Sequence, residues 1–167
     1  EYFRTLREAG FRHLSFGVDG WTDRLLRIQN KGCTMAMVAQ NLRDADRLVA
    51  EAAARGARLV ALPEYFPLIS GDETDKVRAR EKEGAGPLQD FLRETALRHK
   101  VWLVGGSIPL EASSPDKVRN SCLVFDDAGR RVARYDKIHL FGFQSGTEHY
   151  EESRTIEAGG EAVAFDS

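Results

Sequence analysis

Apolar positions along this chain fall into two rhythms, one of helical period and one of short continuous runs. Leu42, Ala45, Leu48, Val49, Ala52 and Ala53 recur at helical spacing from Asn41, and Gly56 follows where a C-terminal cap is wanted. A second amphipathic helix opens at Pro87, with Leu88, Phe91, Leu92, Thr95 and Ala96 on one face. Around these helices lie apolar runs that read as buried strands: residues 34–39, residues 59–62 closed by Pro63, and residues 101–107 ending in Gly105-Gly106. The polar stretch over residues 70–86 reads as part loop and part exposed helix. A loop over residues 111–117 then leads to a hairpin, with arms 120–125 and 131–135 around the turn Asp127-Ala128-Gly129. Residues 142–160 show no period and read as irregular, and residues 161–165 predict a final strand. Strands alternating with helices, then a hairpin, indicate a layered α/β fold.

The first 32 residues break this pattern. Residues 1–10 and 21–28 carry weak helical spacing, residues 13–18 a weak alternation, and Asn30-Lys31-Gly32 is a break. They stand as an unassigned amino-terminal segment before a domain over residues 33–167.

Composition narrows the partners. A chain of 167 residues that is 42% hydrophobic and 30% charged is long enough to bury a core. Its formal net charge of −2 leaves no basic surplus for nucleic acid or an anionic membrane. No apolar run is long enough to span a bilayer and no signal-peptide pattern opens the chain, so no membrane partner is expected. The two cysteines, Cys33 and Cys122, make no disulfide framework, and a cytoplasmic, reducing home is the expectation.

Two charged residues end apolar strands. Glu64 follows the run closed by Leu62-Pro63, where a carboxylate at the rim of a cleft is placed to act as a base. Taken alone, a strand-end acid is more often a solvated loop residue. Lys137 ends the second arm of the hairpin, where a fixed ammonium would stabilise a developing oxyanion. Taken alone it would be a surface lysine whose stem covers apolar neighbours. The histidines His13, His99, His139 and His149 show no metal-ligand spacing, and Gly84-Ala85-Gly86 is not a phosphate loop.

The two segments together say more. Leu62-Pro63-Glu64-Tyr65 after a strand, and Tyr135-Asp136-Lys137-Ile138-His139-Leu140-Phe141 after a hairpin, resemble the glutamate and lysine motifs of the nitrilase, or carbon–nitrogen hydrolase, superfamily. Within it the chain is most similar to the Nit branch of amidases, which act on ω-amides and deaminated glutathione. Gly105-Gly106-Ser107 and Asn120-Ser121-Cys122-Leu123-Val124-Phe125-Asp126 add to a match running from Thr34 to Ser167.

The resemblance implies an α-β-β-α sandwich, incomplete in this chain, that pairs into homodimers. It implies hydrolysis of a small-molecule amide bearing a carboxylate, without metal or organic cofactor. Glu64 would be the general base and Lys137 would stabilise the tetrahedral intermediate. A second glutamate would orient substrate or lysine, with Glu152 the choice and Glu151 or Glu148 open. The family's nucleophilic cysteine lies on a strand beyond residues 161–165, so it is expected outside this chain. Cys122, in the hairpin, reads as a small core residue. Residues 38–41 join the expected first strand and helix almost directly, where the family has a loop. A non-catalytic binding or scaffold module of the same fold is the alternative reading, as is a chance likeness in which Glu64 and Lys137 lie far apart.

Overall fold

The computed structural model describes residues 35–68, 72–145 and 148–167; the expectations for residues 1–32 and Cys33 lie outside them. A single helix, α1 (Met35–Ala54), opens this part of the chain. It replaces the strand expected over residues 34–39, of which Thr34 is outside the described residues. The reason is visible in the spacing: Val38, Leu42, Ala45, Val49 and Ala53 continue one helical face against the core. Methionine and alanine are also good helix formers, and the lower propensity of Val38 is outweighed by its packing against the core. The join over residues 38–41 is therefore interior helix, not a shortened loop. A Schellman motif ends α1: Gly56 takes φ 90°, and the amides of Ala57 and Gly56 donate to the carbonyls of Ala52 and Ala53.

Strand β1 (Leu59–Ala61) follows, parallel to β2 (Trp102–Val104). It lies at the edge of the sheet and is not buried as expected; Leu59 is 45% exposed. Between them run the short helix α2 (Thr74–Arg78) and the amphipathic helix α3 (Pro87–His99). Helix α2 is less exposed than expected, because it buries Lys76. Helix α3 buries Leu88, Leu92, Thr95 and Ala96 as its sequence predicts.

After β2 the chain forms β3 (Ile108–Glu111), which the sequence reading left out, and β4 (Val118–Phe125). Both β2 and β3 pair antiparallel with β4, Val104 facing Val124 and Ile108 facing Ser121. Three residues, Gly105-Gly106-Ser107, thus stand opposite two, a bulge along one edge of β4. Pro109 sits within β3, which disguised the strand. The other edge of β4 carries β5 (Arg131–Asp136) as the expected hairpin. Its turn is held by Asp126, whose Oδ1 accepts the amides of Ala128 (3.0 Å) and Arg130 (2.8 Å), and by Gly129 at φ 72°.

Helices α1 and α3 cover one face of this sheet. Val49, Leu92, Ala96, Leu103, Ile108, Leu110 and Leu123 are each no more than 1% exposed and form one apolar cluster. The result is the expected mixed α/β layering. Residues 142–160 are not irregular throughout, because β6 (Gly142–Ser145) and β7 (Glu148–Glu151) form a second hairpin, followed by a 3-10 turn over Glu152–Arg154. No strand forms over residues 161–165. That segment finds no ladder partner among the described residues, and Phe165 instead stacks on Trp102 at 6.0 Å.

Candidate active site

Topology brings Glu64 and Lys137 to the same end of the sheet. Strands β1 and β2 are parallel, and β4 runs against both β2 and β5, so β1, β2 and β5 point one way. Glu64 lies just past the carboxyl end of β1, and Lys137 follows the last residue of β5. This is the rim where α/β sheets gather functional groups.

The segment after β1 is fixed by its neighbours. Leu62 still pairs with Val104 through its amide (2.9 Å), and the Tyr65 amide donates to Ser107 Oγ at 3.0 Å. Gly106, at φ 56°, lies so close to the Pro63 carbonyl that a β-carbon would collide with it. The bulge between β2 and β3 is therefore what seats the glutamate loop. Tyr65 itself takes φ 49°, a left-handed conformation that bulky side chains rarely adopt and that concentrates at functional sites.

Lys137 is the hub. Its Nζ lies 2.9 Å from Glu152 Oε2 and 3.2 Å from Glu64 Oε1. Glu152 is buried, and its Oε2 also accepts the Phe141 amide at 2.7 Å. Backbone bonding reinforces this, since the Glu152 amide donates to the Phe141 carbonyl at 3.0 Å. Glu64 is the most open of the three, with its side chain 55% exposed. Its Oε1 also accepts Asn120 Nδ2 at 2.6 Å. Burial alone would lower the Lys137 ammonium, but hydrogen bonds and charge from Glu152 and Glu64 outweigh it and raise the pKa above the ordinary lysine value.

Aromatic and charged neighbours complete the site. Burial, then the Glu152 and Glu64 charges, push the Tyr65 hydroxyl far above the usual phenol range. Tyr150 is raised likewise, by burial first and Glu152 next. Lys76 lies buried with Nζ 4.3 Å from the centre of the Tyr65 ring, and burial lowers its pKa.

The three residues chosen from the sequence, Glu64, Lys137 and Glu152, thus converge. Of the rivals for the third place, Glu151 is exposed and accepts Ser153 Oγ at 2.6 Å, while the Glu148 side chain lies outside the described residues. Sequence reasoning missed Asn120, Tyr65 and Lys76 as site residues. Asn120 and Tyr65 stood inside the quoted motifs, but nothing local marks either as a partner of the acids. Lys76 carries no sequence signal, since its burial is a tertiary effect. Cys122 is half-buried and burial pushes its thiol up, away from the thiolate a nucleophile needs. No cluster of three or more metal-suitable side chains occurs among the described residues. Nor is any of their helices long and apolar enough to cross a membrane.

Chemically, the arrangement offers a carboxylate with one oxygen undonated among the described residues, beside an ammonium held between two acids. Comparison with known proteins identifies the setting. The carbon-nitrogen hydrolase family profile matches residues 28–166. The deaminated glutathione amidase of Yersinia enterocolitica is 38% identical over 115 residues, covering 67% of this chain and 40% of the relative. The omega-amidase NIT2 of Danio rerio is 38% identical over 130 residues, covering 77% of this chain and 46% of the relative. Among solved structures, Saccharomyces cerevisiae Nit3, a member of branch 10 of the nitrilase superfamily, aligns with TM-score 0.61 and 28% identity over 81% of this chain and 48% of its own. The chain therefore spans less than half the length of these relatives. With the profile covering most of its residues, the chain belongs to the carbon-nitrogen hydrolase family.

Proposed function

We propose that the protein is an amidase that hydrolyses the terminal amide of a small, carboxylate-bearing substrate. The observation that carries this reading is Lys137 Nζ held within 3.2 Å of both Glu64 and Glu152. In this scheme a cysteine from outside the 167 residues supplies the nucleophile. Glu64 takes the thiol proton as the thiolate attacks the amide carbon. Lys137 stabilises the tetrahedral oxyanion, and Glu152 holds the lysine in place. The proton on Glu64 passes to the leaving nitrogen, which departs as ammonia and leaves a thioester. Glu64 then deprotonates water, the acid is released and the thiol is restored.

The relatives named as omega-amidases and a deaminated glutathione amidase support a substrate with a carboxylate near the amide. A homodimer in the reducing cytoplasm, with neither metal nor organic cofactor, completes the proposal. It is tested by ammonia release from succinamate, using the protein at its natural length. Glu64→Gln and Lys137→Met should each lower turnover by at least about 100-fold, while Cys122→Ala should retain it. Residues 1–167 alone should turn over little or nothing. Lys137-dependent turnover by residues 1–167 alone would contradict the external nucleophile.

A further inference from the structure

Resting on the amidase reading above, the structure assigns Asn120 a task of its own: we infer that it is the positioning residue that selects which oxygen of Glu64 acts as the base. Oε1 of Glu64 receives two donors, Asn120 Nδ2 at 2.6 Å and Lys137 Nζ at 3.2 Å. Oε2 receives none among the described residues, so it is the oxygen with a lone pair free for a proton. Because the Glu64 side chain is 55% exposed, packing does not hold its carboxylate; these two hydrogen bonds do.

Asn120 is built for that task. It is 2% exposed, in mid-strand on β4, and its own backbone carbonyl accepts the Lys137 amide at 2.9 Å. One residue thus ties both members of the pair, Glu64 through its side chain and Lys137 through its main chain. The amide orientation is dictated, since the flipped form would set Oδ1 against a carboxylate oxygen. The remaining atom, Asn120 Oδ1, is buried with no hydrogen-bond partner among the described residues. An orphaned buried acceptor is a standing cost to the fold, which an apolar residue would avoid. A residue serving packing alone would not incur it.

The proton step follows directly. The incoming thiol S–H donates to Oε2, the O–H bond forms there as the S–H bond breaks, and the same proton goes to the leaving nitrogen. Oε1 stays bound to Asn120 and Lys137 throughout, so the carboxylate does not rotate between the two transfers.

The test compares Asn120→Ala and Asn120→Asp with wild type at natural length, with succinamate as substrate and Glu64→Gln as control. Asn120→Ala should lower kcat about 10–100-fold with KM within about twofold, as expected when a catalytic group is misplaced rather than removed. Asn120→Asp keeps the shape but sets a second carboxylate beside Glu64, so the acid limb of its kcat/KM profile should move to higher pH. Asn120→Ala with wild-type kcat, or an Asn120→Asp profile superimposing on wild type, would overturn the inference. If Glu64→Gln is inactive while Asn120→Ala is unimpaired, only the positioning role fails. If Glu64→Gln keeps full activity, the amidase reading fails and this inference with it.

Discussion

Glu64 and Glu81 lie along the same side of the sheet, yet their surroundings assign them opposite work. Glu64 follows β1, which is parallel to β2, and Glu81 makes a parallel bridge to Leu110 of β3, further along the same edge. Glu81 is 7% exposed and both of its carboxylate oxygens are engaged. Oε1 accepts the Leu88 amide at 2.5 Å, and Oε2 accepts the Gln89 amide and Nε2, each at 3.1 Å. It caps the first turn of α3 from a distance, where the orphan amides and the helix dipole both favour an anion. Glu64 is half-exposed, holds two donors on one oxygen and, among the described residues, leaves the other open. An acid whose acceptors are all used is a structural anchor, whereas an acid with one oxygen held and one free is equipped for proton transfer.

Four substitutions and conditions press on that contrast. The largest effect is expected for Lys137→Met, which removes the cation beside Glu64. Activity should fall about 10²–10³-fold, the usual loss of an oxyanion donor, and ammonia release measures it. Next comes Glu81→Ala, which strands the Leu88 and Gln89 amides. It should cost roughly 2–3 kcal/mol in urea unfolding, because hydrogen bonds to a charged group are the stronger class. The activity of its folded fraction should match wild type; a specific loss of kcat would break the distinction between the two acids.

A pH effect should come third. Lys137 has its pKa raised in the fold, so its stabilising contribution is complete below the ordinary lysine pKa of about 10.4 and is lost as pH climbs through the higher folded value. The difference in urea midpoint between wild type and Lys137→Met should therefore be constant from pH 7 to about 10 and shrink above it. The smallest effect is expected for Arg47→Ala, on the exposed face of α1, where Arg47 meets Glu51 at 2.6 Å. An exposed i,i+4 pair contributes about 0.3–0.5 kcal/mol, so stability and activity should both stay close to wild type.

Much of this was legible in the sequence, for identifiable reasons. The hairpin of β4 and β5 and the helix α3 are specified locally, by the Asp-Ala-Gly turn and by apolar spacing after Pro87. Glu64 and Lys137 could be chosen because each ends a strand within a motif, and Glu152 from its place in the family pattern. Other elements depended on information the local sequence does not hold. Residues 35–39 are apolar throughout, so a strand and a helix fit equally well until Val38 meets the core shared with Leu42 and Ala45. Strand β3 was hidden by Pro109, and the hairpin of β6 and β7 by its polar, Gly-containing sequence. Residues 161–165 have strand-like composition, but a strand exists only where a neighbour completes its ladder. Asn120 escaped notice because its role depends on a contact with Glu64, 56 residues away in sequence.

The most direct measurement sets the two glutamates side by side. At natural length, Glu64→Gln and Glu81→Gln are assayed in parallel for ammonia release from succinamate and for urea midpoint. Glu64→Gln should lose about 10²–10⁴-fold in kcat, the range for a general acid–base group, with a midpoint shifted far less than that of Glu81→Gln. Glu81→Gln should lose stability with kcat intact. Equal loss of kcat in both variants, or full activity in Glu64→Gln, would contradict the assignment of Glu64 as the base.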